Sequence, residues 1–282
     1  MPEPLNVKIY HNPDCGTSRS TLKLIQACGF QPEIIEYLKA PPSQYELMGL
    51  LDRMGMPVRE VLREKGTPFA DFALNNPAKS DDNLHAVIQQ HPILLNRPIV
   101  ITDKGVKLCR PSDVVLDLLP EPPDQNVVHD DGRTPFLTDH QIKGSGTEIA
   151  VAMEAAGLPT ADLADPGRTF YRYTRLDREM VGYGGFELYG TDVLLRSMAI
   201  AGRFHRQGNG RNLAALLMRR AYDQEARKAF ALTTSPEARA FFEKLGFAEI
   251  LRSAAPAAIQ GTRQASGLCP ASASLLTKRI TL

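Results

Sequence analysis

Apolar residues recur along this chain at two spacings, one of strands and one of helices, and they divide it into two blocks. Residues 7–11, VKIYH, predict a buried strand. From Ser18 onward Leu22, Ile25 and Cys28 fall every third residue, the spacing of a helix face, and Gly29 ends the run. Residues 33–38, EIIEYL, predict a second strand. Ser43 followed by Glu46 is a capping box, with Leu47, Leu50 and Leu51 on one face behind it. Asp81 and Asp82 open a further helix carrying Leu84, Val87 and Ile88. Residues 98–109, PIVITDKGVKLC, predict two strands around an Asp-Lys-Gly turn, and 111–119 a helix with proline in its first turn. This order implies a small mixed sheet covered by helices over residues 5–120.

Residues 121–135 break the pattern. Pro122 and Pro123 follow Pro120, and Glu121, Asp124, Asp130 and Asp131 are acidic, so the segment reads as an exposed, semi-extended linker. The second block, 136–282, opens with a helix at about 147–156, then strands at 169–176, 181–188 and 193–200. A long helix begins near Gly210, with Leu213, Leu216, Leu217 and Ala221 on one face. A short strand at 230–234, a helix at 236–246 and closing strands follow. No internal repeat or low-complexity tract is present.

Length supports two domains at about 100–200 residues each, and the 43% hydrophobic content is enough for two cores. The formal net charge of +1 supplies no global field toward nucleic acid or a membrane, and no 18-residue apolar run predicts a membrane span. The N-terminus lacks the pattern of a secretory leader. Four scattered cysteines, with no CxxC and no zinc spacing, indicate reduced thiols, a cytoplasmic location and no metal.

One of these cysteines stands out. Cys15 lies in HNPDCGTSRSTL, between the first strand and the helix starting near Ser18. Unpaired N–H groups and the dipole at a helix N-terminus favour negative charge, so a thiolate and an oxyanion are both favoured there. Gly16 permits a tight turn, Thr17, Ser18 and Ser20 offer hydroxyls, and Arg19 adds a cation. The alternative is a buried structural cysteine, a common fate of a free thiol. Arg63, Arg97 and Arg110 are ordinary surface arginines taken singly, but Arg97 precedes Pro98 at the edge of an apolar strand, a place suited to a cis peptide.

HNPDCGTSRSTL, LNRPIV and LCRPS together resemble the glutaredoxin-linked arsenate reductases, which have a thioredoxin-like fold. The resemblance covers about residues 5–120. It implies that Cys15 is the nucleophile, that Arg63, Arg97 and Arg110 bind the oxyanion and its intermediates, that His11 tunes the thiolate and that Ser18 donates a hydrogen bond to it. It also implies arsenate as substrate and glutathione and glutaredoxin as reductants. Planar guanidinium forks suit a phosphate-like oxyanion, and without a CxxC an outside thiol must resolve the intermediate. Cys28 and Cys109 read as packing residues. The same fold also serves regulators of RNA polymerase that are not reductases, which often show CxxC or lack the arginines.

In the second block, RQGNGRNLAALLMRRA places Gly208 and Gly210 at a helix start after a strand. Such a turn can cradle a pyrophosphate or simply cap a helix; it is not the GxGxxG of a dinucleotide fold. With the element order and FFEKLGF, it resembles the Gcn5-related N-acetyltransferases, over roughly residues 136–250. GGFELYGTDVLLRSMAI and SGLCPASA more narrowly resemble a branch associated with arsenic resistance. The resemblance implies acetyl-CoA as co-substrate, held by the backbone of Met198 and Ile200 and by Gln207, Gly208, Asn209, Gly210 and Arg211. Glu187 is the candidate general base toward a small amine acceptor, with an exposed strand-end carboxylate as the alternative. The sequence departs from the family at His205, where Arg or Gln is usual, and at Phe242, where the proton-donating Tyr would fall. Tyr222 or water is left as the acid. The stretch opening the block is a poor match for the family's first strand.

The expected architecture is therefore α/β throughout: a thioredoxin-like mixed sheet with helices, then a Gcn5-related acetyltransferase fold. The expected function is arsenate reduction fused to N-acetyl transfer. The alternatives are a redox regulator with a noncatalytic acyl-CoA-binding module, and a reductase whose second block binds As(III) or a partner through Cys269.

Overall fold

The computed structural model describes residues 5–282. The first four residues, which bear on the leader reading, lie outside the described residues. The chain divides into two compact units: residues up to Phe136 together with Leu282, and Leu137–Thr281. Among the described residues no helix is long and apolar enough to cross a membrane.

The first unit is built on β1 (Lys8–His11), α1 (Gly16–Ala27), β2 (Glu33–Glu36), α2 (Gln44–Met54), α3 (Asp81–Gln90), β3 (Ile99–Thr102) and β4 (Gly105–Leu108). The sheet order is β2-β1-β3-β4, with β1 parallel to β2 and antiparallel to β3, a thioredoxin-like arrangement. α2 carries the capping box at Ser43 and Glu46, and Ser80 caps α3 by accepting from the Asn83 N–H. Its core is Tyr37, Leu47, Val61, Leu84, Leu94, Ile99 and Leu108, all fully buried.

Three features differ from the sequence expectation. α1 begins at Gly16, with Cys15 itself as N-cap. Its buried stripe is Ser18, Thr21, Leu24 and Ile25, so polar side chains hold positions a hydrophobic pattern cannot mark. Ser18 and Thr21 stay buried because their hydroxyls bond His11 Nδ1 and the Thr17 carbonyl. Residues 112–118 wind as a 3₁₀ helix rather than an α-helix. The expected linker is exposed at 124–126 and 130–133, but Val127 and Phe136 are buried and Val128 bridges Pro135. This segment folds against the first unit instead of trailing free.

The second unit contains β5 (Leu137–Ile142), α4 (Thr147–Ala155), β6 (Arg168–Arg175), β7 (Met180–Tyr189), β8 (Asp192–Ile200), α5 (Asn209–Tyr222), β9 (Lys228–Thr233), α6 (Pro236–Lys244), β10 (Ala248–Ile250), α7 (Ala257–Gln260) and β11 (Ser274–Arg279). The seven strands run β10-β11-β9-β8-β7-β6-β5. Every pair is antiparallel except β8 with β9, the sheet of a GNAT-type fold. The opening strand β5 is present although its sequence, LTDHQI, gives little apolar signal. Six-residue pairing with β6 and the bonds from Arg220 on α5 to Asp139 (2.7 and 2.8 Å) hold it. α5 can lie close on the sheet because β7 has glycine at position 184. A Cβ there would stand 3.0 Å from Leu213 and 3.2 Å from Leu217.

Candidate functional site

In the first unit, β1 ends at His11, and a four-residue loop delivers Cys15 to the N-cap of α1. The loop is tied by its own polar groups. Ser18 Oγ accepts from the Asn12 N–H (3.1 Å), and the Cys15 N–H donates to the Asn12 carbonyl (3.0 Å). Ser18 Oγ is also hydrogen-bonded to His11 Nδ1 at 2.8 Å. Burial depresses the His11 pKa, in keeping with a neutral ring.

The expected hydrogen bond from Ser18 to the thiolate therefore comes from its backbone. Burial raises the Cys15 pKa. The Ser18 N–H, the Arg97 and Arg110 charges and the Thr17 N–H outweigh that effect and hold it below the ordinary thiol value. Arg63 joins the same cluster: burial lowers its pKa, and it feels the charges of both Arg97 and Cys15. Arg97 is 5% exposed, and its Nε and Nη1 have no hydrogen-bond partner. Arg110 donates from Nη1 to the Arg97 carbonyl at 3.1 Å. The Arg97–Pro98 and Arg110–Pro111 peptides are both cis. Two buried, unsatisfied guanidinium N–H groups beside an activated thiol make a seat for an oxyanion.

Arg19 departs from its expected part. Its Nε and Nη2 bind the two carboxylate oxygens of Asp130 at 3.0 and 2.6 Å, and its Nη1 donates to the Pro13 carbonyl. Tyr37, fully buried with its hydroxyl on the Leu95 carbonyl at 3.3 Å, also borders the cluster, and no sequence pattern had marked it. Cys28 has its pKa pushed up to about 11 by burial, and Cys109 is wholly buried, so both read as packing residues.

In the second unit, β8 pairs with β9 only from Asp192 to Leu195. Beyond that the two parallel strands part, and Ser197 takes a φ of +52°. A cleft of 720 Å³ opens between them, lined by Ser197 and Met198 on one side, Leu232 to Ser235 on the other, and Phe242 of α6. Met198 and Ile200 thus lie on the stretch of β8 that has left the ladder, although the Ile200 carbonyl accepts from His205 Nε2 at 2.8 Å.

The turn that follows is pinned. Gln207 accepts from Arg175 Nη2 (2.6 Å) and donates to the Arg203 carbonyl (2.8 Å). α5 starts at Asn209, one residue before the expected Gly210, and Gly208 is its N-cap with φ +83°. Asn209 is buried with Oδ1 unpartnered, while Gly208 and Arg211 are exposed. Positive φ belongs to Gly208 and not to Gly210, whose absent Cβ would merely touch Phe241 at 3.4 Å.

Glu187 is neither a cleft residue nor an exposed carboxylate. It is 3% exposed and paired with Arg196, with Arg168 at 3.4 Å and with the Tyr189 hydroxyl at 2.7 Å. Asp162, fully buried, binds the same Arg196 at 2.8 Å. This carboxylate is held by Arg196, Arg168 and Tyr189, and of these Arg196 also lines the cleft. Tyr222 lies at the end of α5 under the Arg227 guanidinium, outside the cleft lining. The cleft does contain Cys269, which the sequence offered only as a possible As(III) contact. Burial raises its pKa, so it stands there as a neutral thiol. Its loop is stapled by Arg252, which donates to the carbonyls of Ala265, Pro270 and Ala273.

Comparison with known proteins fits this division. The ArsC family model matches residues 10–118, and the acetyltransferase (GNAT) domain model matches residues 144–262. The chain is 52% identical to an arsenate reductase of Rhizobium meliloti (strain 1021) over 117 residues, 42% of this chain and 84% of that protein. It is 48% identical to an arsenate reductase of Yersinia enterocolitica over 138 residues, 49% of this chain and 96% of that one. A solved N-acetylglutamate synthase from Neisseria gonorrhoeae, complexed with coenzyme A and N-acetyl-glutamate, overlaps 51% of this chain and 36% of its own. Its identity is 15% and its TM-score 0.41.

Proposed function

The chain belongs to the ArsC family through its first unit, and from that premise we propose that it reduces arsenate, with Cys15 as nucleophile and Arg63, Arg97 and Arg110 as the oxyanion site. The observation that carries this reading is the pair of unsatisfied N–H groups on buried Arg97 beside a thiol of lowered pKa. The Cys15 thiolate bonds to arsenic, and one arsenate oxygen leaves as water after protonation. Two electrons then pass to arsenic from outside thiols, because neither Cys28 nor Cys109 presents a ready thiolate. Glutathione and glutaredoxin are the proposed donors. They end as a mixed disulfide; water then replaces the Cys15 sulfur on arsenic, so that arsenic leaves as As(III) and the Cys15 thiolate is restored. Such a thiol supply suits the cytoplasm.

Arg97→Lys tests the oxyanion site. A point charge cannot reproduce the fork, and loss of a charge-assisted contact costs about 1.5–3 kcal/mol, roughly tenfold to a hundredfold in kcat/KM for arsenate. Equal kinetics in Arg97→Lys and the parent chain would remove Arg97 from the site.

The second unit carries a GNAT domain. We infer that its cleft takes acetyl-CoA, with the pantetheine along Met198 and Ile200 and the pyrophosphate over Gln207, Gly208, Asn209, Gly210 and Arg211, and that a small amine receives the acetyl group. Support comes from the parted β8 and β9, the cleft between them, and the α5 N-terminus beside it. Gly208→Val is the sharper test, since a β-branched residue at φ +83° is strained by about 1–3 kcal/mol and shields the turn's N–H groups. Calorimetry on the full chain should show acetyl-CoA affinity at least about tenfold weaker in this variant, with arsenate turnover retained as the control for folding. Absence of binding to the parent chain at millimolar acetyl-CoA would overturn the acyl-CoA reading.

A further inference from the structure

The segment 127–136 lies beyond the stretch that the ArsC model matches, yet it reaches the nucleophile loop. It is a preformed turn. Val128 bridges Pro135, Gly132 takes φ +70°, and the Asp131 carboxylate accepts from the N–H groups of Arg133 (2.9 Å) and Thr134 (2.8 Å). The turn is anchored from below. His129 Nε2 lies 3.1 Å from the buried Asp113 carboxylate, and its ring stacks on Phe136 with centroids 4.0 Å apart.

This places Asp130 over the first turn of α1. The Asp130 N–H donates to Ser20 Oγ at 2.8 Å, and its carboxylate grips Arg19 through two parallel bonds. A Cβ on Gly16 would stand 3.6 Å from Asp130 Oδ2. Arg19 in turn holds the Pro13 carbonyl. Pro13 sits between Asn12, fixed by Ser18, and Cys15. Proline offers no N–H, so its carbonyl is the one backbone group through which this residue can be tied.

We propose that Asp130 is a positioning residue for the nucleophile: it aims Arg19 at Pro13 and so holds the Asn12–Cys15 loop where the Thr17 and Ser18 N–H groups meet the sulfur. An ion pair this exposed, 43% for Arg19 and 33% for Asp130, adds little to stability in general, because two mobile side chains must be ordered to form it. Here the anchored turn has already ordered Asp130. The pair's effect therefore falls on loop geometry.

The test is Asp130→Asn in the full chain, read by the pH dependence of Cys15 alkylation with iodoacetamide. The charged and titratable groups around the sulfur, Arg63, Arg97, Arg110, His11, Tyr37 and Asp14, remain in place. Two mechanisms predict opposite signs. Removing an anion and freeing the Arg19 charge favours the thiolate and lowers the Cys15 pKa. Slackening the loop withdraws the N–H groups and raises it. Positioning predicts a rise of about half a unit to one unit, which slows alkylation about threefold to tenfold on the acid limb of the profile, where thiolate is the minor form. Arg19→Gln should do the same, and the double variant should do no more than either. The arsenate arm rests on Cys15 being the nucleophile and expects kcat to fall by a similar factor with KM held; the alkylation arm reports the loop whatever Cys15 does. An unchanged or lowered pKa in Asp130→Asn, with melting unaltered, overturns the proposal.

Discussion

Cys15→Ser takes arsenate turnover to background, with melting unchanged. The size of the effect follows from where the thiol sits. Cys15 is the N-cap of α1, and its sulfur receives the N–H groups of Thr17 and Ser18 under the fields of Arg97 and Arg110. These terms outweigh the penalty of burial and lower the pKa, so at neutral pH a larger share of the residue is thiolate than in a free cysteine. A serine hydroxyl in the same place gains the same contacts. Its acidity begins so far above neutrality that they cannot produce an alkoxide, and no general base adjoins it. His11 Nδ1 is already engaged by the Ser18 hydroxyl. Iodoacetamide should label Cys15 well below pH 8 in the parent chain. Substantial turnover in the serine variant, or a Cys15 pKa at or above that of a free thiol, would contradict the assignment.

The reductase site was more legible than the fold that builds it. A cysteine just ahead of a helix and three arginines in short motifs are visible as letters, and the structure places them in one cluster. What could not be read was how buried polar groups are satisfied. Ser18 and Thr21 line the inner face of α1, because hydroxyls bonded within the helix and to His11 behave as apolar surface. The hydrophobic pattern therefore pointed to Leu22 and Cys28, a stripe rotated from the true one. Arg19 looked like a free cation for the same reason: its partner lies 111 residues away.

In the second unit local signals located most strands and the turn before α5, but β5 passed unnoticed. Its stability comes from pairing with β6 and from Asp139 meeting Arg220, both long-range. The cleft could be inferred only as a consequence of the fold. Nothing local in VLLRSMAI says that β8 leaves β9 after Leu195. Which glycine of the turn takes the positive φ was not legible, since Gly208 and Gly210 differ in which one stands outside the helix.

Glu187, whose letter and strand position suggested chemistry, lies in a buried ion-pair network, and that network carries the second large prediction. Arg196 lies between two buried carboxylates, Asp162 and Glu187, with Arg168 on the outer side of both. Arg196→Met removes the central cation from a site that is fully buried around its side chain. The remaining carboxylates are left with Arg168, the more distant Arg263 charge on Asp162 and the Tyr189 hydroxyl on Glu187. Breaking a buried pair in this way costs about 3–5 kcal/mol, far above the cost of lost packing from a methionine of similar length. Hydrogen exchange should show the amides of β7 and β8 losing protection by the corresponding factor, about a hundredfold or more, while β1 and β3 keep theirs. The pH dependence has a defined sign. In the parent chain Asp162 has its pKa held down by Arg196, despite burial, so its contribution is present above the unfolded carboxylate value of about 3.9 and is lost as pH falls through the lower folded value. In Arg196→Met the buried Asp162 carboxylate loses that cation and is pushed up instead, so the penalty shrinks as pH falls toward 4. Replacing all three groups, Asp162→Asn and Glu187→Gln with Arg196→Met, should recover part of the loss at pH 7, because the one buried charge that stays, Arg168, keeps Asp165 as its partner. A single Arg196→Met variant with parental protection in β7 and β8 at pH 7 would mean that water reaches these carboxylates, and Glu187 would then return as a candidate base.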